Sequence, residues 1–145
     1  PRKCSSKKPY EYRIFNDEFP DPLCRLYTHF TYTKLDIDRM NAAAGYLIGE
    51  HDFKSFCSIH TQTETTVRTI TDLSVKKESS LITIRVTGTG FLYNMVRIIA
   101  GTLIEVGNGK YPPEHIKEIL KHCDRSCAGP TAPARGLTLV EYEFL

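Results

Sequence analysis

The pattern of apolar and polar residues predicts a strand near each end of the chain, and a composition typical of strands predicts a hairpin in its middle. Residues 10–16 (YEYRIFN) and 137–144 alternate aromatic or aliphatic side chains with polar ones, as strands with one buried face do. Residues 66–77 and 81–87 are rich in Thr, Val and Ile and flank the polar triplet at 78–80. This composition on either side of a short polar turn predicts a β-hairpin.

Three stretches between these strands have features of helices. Asp36 is predicted to cap a helix that runs to about Ile48, because apolar residues then recur at helical spacing. Residues 91–106 (FLYNMVRIIAGTLIEV) are apolar on nearly every face, which is typical of a buried helix. A third helix is predicted to begin at Pro112 or Pro113, because proline is favoured in a first helical turn.

The order of these elements predicts the fold class. Strands and helices do not alternate in a strict βαβ order, so we expect an α+β fold, in which a mixed or antiparallel sheet has helices packed on one face. We expect residues 1–145 to form one domain, since the sequence contains no internal repeat. The hydrophobic fraction of 41% and the charged fraction of 25% are ordinary for globular proteins and exclude disorder of the whole chain.

Several classes of protein are not favoured by the composition. No stretch approaches the ~18 consecutive apolar residues of a membrane helix, and no secretory leader is recognisable, so we expect a cytoplasmic protein with no membrane partner. The five cysteines are an odd number and scattered, which favours reduced thiols over a disulfide framework. A zinc site at His122, Cys123 and Cys127 is the weaker interpretation, because no paired CxxC spacing is present.

Arg97 is the one charged residue in the first three turns of the apolar stretch at 91–106. A guanidinium stays protonated, and burying it without a partner costs several kcal/mol. Glu105 is two turns away, so no carboxylate on the same helix can pair with it locally. The residues alone leave three outcomes open: Arg97 reaches solvent at the helix edge, pairs with an acid of this chain, or holds a catalytic carboxylate or ligand phosphate.

Two long motifs carry a resemblance to a known family. Residues 90–109 contain FxxxMVRxxxG, and residues 123–144 contain DRxxAGPTAPAxGLxL at the expected distance. Upstream, YEYRIFN at 10–16 and GEHDFKSF at 49–56 agree in order and spacing. Over essentially its whole length, the chain resembles the tRNA pseudouridine synthase A family. The resemblance implies half of the pseudouridine synthase fold.

The resemblance also implies a reaction and a partner. Members of the family isomerise uridine to pseudouridine in the anticodon arm of tRNA, around positions 38 to 40, without a cofactor or a required metal. The target base is flipped out of the stack, and an aspartate of an Arg-Thr-Asp motif begins cleavage of the glycosidic bond. The uracil then turns and rejoins the ribose through carbon. Family members work as homodimers in which tRNA contacts both subunits, so a homodimer is expected for the intact protein.

Three residues of this chain match positions with a role in the family. Arg97 matches the arginine that pairs with the catalytic aspartate, and would supply the guanidinium for it. Tyr10 matches a tyrosine that stacks near the target base and is a candidate for proton transfer. Leu137 matches an apolar residue of the uracil pocket, although by itself it would be interpreted as ordinary core. For Tyr12 we prefer a structural role in the sheet.

One departure from the family is decisive for activity. The chain contains no Arg-Thr-Asp; its nearest string is RTITD at 68–72, in a predicted strand. In the family the catalytic aspartate lies in the N-terminal half, upstream of the position of Pro1, and none of the seven aspartates present here matches it. Because the chain also starts with Pro1 rather than Met, we interpret it as the C-terminal piece of a longer protein. The chain alone is predicted to be inactive.

Basic residues suggest where RNA would bind. Arg2, Lys3 and Lys8 lie in a basic run that leads into the strand of Tyr10, and phosphate contacts from such residues would be salt-sensitive. Lys54 and Arg68 are further candidates, although charged residues more often only keep a surface solvated. The alternative function is a non-catalytic RNA-binding module; a domain that only dimerises would show no tRNA affinity. Arg97 favours the enzyme, because a simple RNA binder gains nothing from a buried guanidinium.

Overall fold

The computed structural model describes residues 8–19, 28–58 and 65–139, and within them six strands form one mixed sheet. The order across the sheet is β2-β1-β5-β4-β3, and β6 also pairs with β1. The β1–β2 pair is parallel and the remaining pairs are antiparallel. The strands are β1 (Lys8–Asn16), β2 (His29–Thr31), β3 (Gly49–Asp52), β4 (Val67–Glu78), β5 (Leu81–Gly88) and β6 (Leu137–Leu139).

The strands predicted from alternation are confirmed where the structure describes them. β1 covers the predicted strand at 10–16, and β4 and β5 form the predicted hairpin around a turn at Ser79, whose φ is +57°. The last strand is described as far as Leu139, and the rest of the predicted segment lies outside the described residues. β2 was not predicted, because three residues are too short to show an alternating pattern.

Helices α1 (Ile37–Gly45), α2 (Met95–Gly107) and α3 (His115–His122) differ from the predictions at their ends. Asp36 caps α1 as predicted, accepting a 3.2 Å hydrogen bond from the Arg39 N–H. This helix does not reach Ile48: the chain turns after Gly45 through i→i−3 hydrogen bonds. Likewise α2 does not begin at residue 91, because Asn94 adopts a left-handed conformation that helical backbone cannot continue through.

The core lies between one face of the sheet and the helices. Alternate residues of β1 and β5, such as Tyr12 and Ile84, are buried, whereas their neighbours on the other face, such as Arg13 and Arg85, are partly exposed. Of the three described helices, α2 has the most buried residues, ten of its thirteen. The predicted α+β class with helices packed on one face is therefore confirmed. Among the described residues, no helix combines the length and apolar character that crossing a membrane requires.

Candidate active site

Two glycines let the loop before β6 lie directly against helix α2. A Cβ added to Gly101 would overlap the carbonyl oxygen of Pro130, so a side chain there would push the loop away. The Gly129 N–H donates a 2.9 Å hydrogen bond to the Thr102 hydroxyl, whose own hydrogen goes to the helix backbone. The two motifs that are far apart in sequence are thus in backbone contact.

Arg97 extends from the first turn of α2 and is held on two sides. Its Nε donates a 2.8 Å hydrogen bond to the Ala132 carbonyl oxygen, and its Nη1 donates a 3.3 Å bond to Asn94 Oδ1. The side chain is half-buried. Among the described residues, Arg97 forms no ion pair, and Glu105 of the same helix pairs with Lys110 instead at 3.3 Å. The described part of the chain thus contains no structural partner acid for Arg97.

The guanidinium lines an open pocket of about 190 Å³ together with Tyr10 and Leu137. The Tyr10 ring packs edge-on against Phe91, with ring centroids 5.2 Å apart. Leu137 pairs with Tyr12 of β1, two residues from Tyr10 on the same strand, and this pairing of β6 with β1 brings Leu137 to the pocket. The pocket therefore combines a cation, an aromatic ring and an apolar wall, which suits a planar base that reacts at an adjacent anion.

Tyr12 holds the loop before β6 against β1. It is fully buried, its hydroxyl donates a 2.6 Å hydrogen bond to the Pro133 carbonyl oxygen, and Gly136 leaves room for its ring. Burial raises the pKa of Tyr12 well above its ordinary value, although the positive charges of Arg97 and Arg135 act in the opposite direction. Tyr12 therefore stays neutral and structural, as the sequence predicted.

Comparison with known proteins decides the family. A family model described as tRNA pseudouridine synthase matches residues 43–144, which include α2, the loop and β6. The chain belongs to the tRNA pseudouridine synthase family. It is 52% identical over 137 residues to tRNA pseudouridine synthase A of Brevibacillus brevis, an alignment that covers 94% of this chain and 56% of the relative.

Two further relatives in the family give the same result. The tRNA pseudouridine synthases A of Acetivibrio thermocellus and Bacillus subtilis are 48% and 47% identical, over 94% and 92% of this chain. These alignments cover 56% and 54% of the two relatives, so the chain spans about half the length of the curated relatives it matches. The comparisons confirm the resemblance based on the sequence motifs.

A second, larger pocket of about 510 Å³ lies beside Lys54 and Arg125. Lys54 is exposed, whereas Arg125 holds the loop through hydrogen bonds to the Gly129 carbonyl oxygen (2.8 Å) and the Thr131 hydroxyl (3.1 Å). Burial and the nearby Asp52 carboxylate raise the pKa of Cys57 in this pocket. Among the residues described, no group of three or more potential metal ligands occurs.

The remaining basic candidates lie apart from the Arg97 pocket or outside the described residues. Arg68, on β4, donates hydrogen bonds to the carbonyl oxygens of Thr65 and Val67 at 2.9 and 2.7 Å. Lys8 begins β1, but its side chain is not described, and Arg2 and Lys3 lie outside the described residues. The structure thus brings together Arg97, Tyr10 and Leu137. Of the basic candidates, Lys54 and Arg68 both lie close enough to Cys57 for their charges to lower its pKa.

Asn94 is part of the site and was not predicted from the sequence. Asn94 contacts Arg97 through its side-chain oxygen and Ser58 through its side-chain nitrogen, at 3.0 Å. An asparagine just before a helix is an ordinary N-cap signal. Nothing in the sequence indicates that its amide would instead bond to a neighbouring guanidinium.

Proposed function

We propose that this chain is the C-terminal part of a tRNA pseudouridine synthase that converts uridine to pseudouridine in the anticodon arm of tRNA, around positions 38 to 40. The observation that carries the proposal is Arg97, which has no acidic partner among the described residues and lines a pocket with Tyr10 and Leu137. An aspartate from the upstream part of the protein would complete this arrangement.

In the proposed mechanism, Arg97 acts on the incoming aspartate. A guanidinium beside a carboxylate lowers the pKa of that carboxylate, so the aspartate stays ionised and is aimed at the ribose–uracil unit. Tyr10 offers a ring for the flipped base to stack on, and Leu137 excludes water from the pocket's wall. The bond between C1′ and N1 breaks with its electron pair left on the uracil. The base then turns and C5 bonds to C1′. The C5 hydrogen leaves as a proton and N1 takes up a proton, so the product is a neutral isomer of the substrate.

The proposal extends to the partners of the intact protein. We infer that it acts as a cytoplasmic homodimer and binds tRNA phosphates through basic residues outside the pocket, with no cofactor. Lys54 is the best supported of these, because it is exposed beside a pocket that also contains Ser58, which is hydrogen-bonded to Asn94 at the Arg97 site. Arg2, Lys3, Lys8 and Arg68 are the further candidates.

The proposal predicts release of tritium from tRNA labelled at uridine C5 by the full-length parent protein. C5 loses its hydrogen only when the base rejoins the ribose through that carbon, so release measures the isomerisation itself. A tRNA whose anticodon-arm uridines are replaced by cytidine gives the background. If the parent binds tRNA but releases no tritium above this background, the alternative function, a non-catalytic RNA-binding module, is the correct one.

A further inference from the structure

Asn94 occupies the position before helix α2 but does not cap the helix. Its backbone is left-handed, with φ +62° and ψ +10°, and its side chain makes no capping hydrogen bond. An asparagine at this position ordinarily accepts a hydrogen bond from a backbone N–H of the first helical turn. Left-handed backbone is uncommon outside glycine, and asparagine is among the residues that tolerate it best. The conformation thus gives up a cap and directs the side chain elsewhere.

The side-chain amide of Asn94 links Arg97 to Ser58. Its Oδ1 accepts a 3.3 Å hydrogen bond from Arg97 Nη1, and its Nδ2 donates a 3.0 Å bond to Ser58 Oγ. This orientation of the amide is required, because a guanidinium only donates hydrogen bonds. The Ser58 N–H in turn donates a 3.2 Å bond to the Tyr93 carbonyl oxygen, next to Asn94. Two bonds therefore hold Ser58 against the turn.

We propose that Asn94 is a positioning residue for Arg97 and that Ser58 fixes its amide in place. The inference rests on the proposed function, in which Arg97 meets an aspartate from outside this chain. Asn94 holds Nη1 while Ala132 holds Nε, and among the described residues Nη2 has no hydrogen-bond partner. The guanidinium is thereby held through two of its three nitrogens, and Nη2 is left to receive the carboxylate.

Removal of the Asn94 side-chain amide tests whether Asn94 positions Arg97 for catalysis. Glycine accepts the left-handed backbone, so Asn94→Gly in the full-length protein removes both hydrogen bonds without straining the turn. We expect kcat to fall by about 10- to 100-fold with KM within twofold of wild type, because misplacement of a catalytic group slows the chemical step. Ser58→Ala should also lower kcat, by a smaller factor than Asn94→Gly does. An Asn94→Gly kcat within twofold of wild type would overturn the proposal.

A charge introduced at the same place provides a readout that a purely structural role would not change. Asn94→Asp keeps an oxygen facing Arg97 but adds a negative charge beside the proposed carboxylate. We expect the acidic limb of the kcat–pH profile to move upward by about one pH unit, since a like charge raises the pKa of an aspartate. Asn108→Asp, the same substitution at the other end of α2, is the matched control and should leave the limb in place. Equal profiles for the two variants would contradict the proposal.

A measurement without turnover separates this proposal from the proposed function. The Arg97 Nε–H resonance of the full-length protein can be assigned by its loss in Arg97→Lys, and its ¹⁵N relaxation shows how firmly the side chain is held. We expect the Nε–H to be rigid in wild type and mobile in Asn94→Gly. An unchanged rigidity would overturn the positioning role even in an active enzyme. A wild-type parent without tritium release would refute the proposed function, while the relaxation data would still decide whether Asn94 positions Arg97.

Discussion

Arg97 and Ala132 are joined by two hydrogen bonds in opposite senses. Arg97 Nε donates to the Ala132 carbonyl oxygen at 2.8 Å, and the Ala132 N–H donates to the Arg97 carbonyl oxygen at 3.0 Å. One bond fixes the side chain of Arg97 and the other fixes its backbone. The loop before β6 and the first turn of α2 are therefore joined at Arg97. A change in the position of either should move the guanidinium.

Replacement of Arg97 by alanine in the full-length protein should abolish turnover and spare the fold. We expect tritium release to fall by about 1,000-fold, because the carboxylate would lose the positive charge that keeps it ionised and aimed. Circular dichroism and tRNA affinity should remain close to wild type.

Arg13→Ala is the matched control for this experiment. Arg13 lies on the opposite face of the sheet, 40% exposed and paired with Glu11, away from the pocket. Its removal should leave turnover within twofold of wild type. Wild-type rates in Arg97→Ala would refute the role of this residue.

A methyl group at position 101 should separate the loop from α2. In Gly101→Ala the new Cβ would overlap the Pro130 carbonyl oxygen, and a backbone oxygen cannot move aside as a side chain can. We expect the free energy of unfolding to fall by about 2 to 3 kcal/mol, as overpacking does. Urea unfolding followed by circular dichroism measures this change. Gly45→Ala, at the end of α1 where nothing lies within 4 Å of the new Cβ, is the control: it should not destabilise the protein and should raise the free energy of unfolding by up to about 1 kcal/mol.

Tyr12→Phe should weaken the loop and change stability at high pH. Loss of the hydroxyl leaves the Pro133 carbonyl oxygen without its 2.6 Å partner and should lower the free energy of unfolding by about 1 kcal/mol. Burial raises the pKa of Tyr12 above the ordinary value of 10.0. As the pH rises, Tyr12 therefore ionises in the unfolded chain before it ionises in the folded protein. Its contribution to the free energy of unfolding is constant below about pH 10 and is lost as the pH rises above 10. Unfolding at pH 8 to 11 should show a steeper decline in wild type than in Tyr12→Phe; parallel curves would contradict this account.

Lys54→Ala should weaken tRNA binding in a salt-dependent way. If Lys54 contacts one phosphate, its removal should reduce the slope of log K against log salt by about one unit. Filter binding of the full-length protein over a salt series measures the slope. Lys76→Ala, an exposed lysine of β4 on the sheet face away from the helices, should leave it unchanged. Equal slopes in the Lys54→Ala and Lys76→Ala variants would show that Lys54 does not contact a tRNA phosphate.

The sequence predicted those parts of the molecule that depend on local pattern. Alternation predicted β1, and a composition rich in Thr, Val and Ile around a polar turn predicted the β4–β5 hairpin. The lone charge in an apolar helix pointed to Arg97. The start of α2 was placed too early because residues 91–93 continue its apolar pattern. The left-handed backbone of Asn94 makes the helix begin at Met95. Asparagine adopts this conformation in some surroundings and not in others, so the sequence does not reveal it.

The surroundings of Arg97 could not be predicted, for a different reason. Its closest partner is the backbone carbonyl oxygen of Ala132, 35 residues away in sequence. Because nearly every residue has a backbone carbonyl oxygen, the sequence does not indicate which one accepts this hydrogen bond. The approach depends on Gly101, whose role is visible only once the loop lies against the helix. The family resemblance placed Arg97 and Leu137 in one site, but the bonds that hold the guanidinium required the structure.

The most direct test of the divided site compares tritium release by this chain, by the full-length parent, and by this chain mixed with the separately expressed upstream part. The account predicts an active parent, an inactive chain, and activity recovered on mixing that is lost again when the chain has Arg97→Ala. Tritium release by the chain alone would mean that one of its own seven aspartates is the nucleophile or base, and would contradict the account.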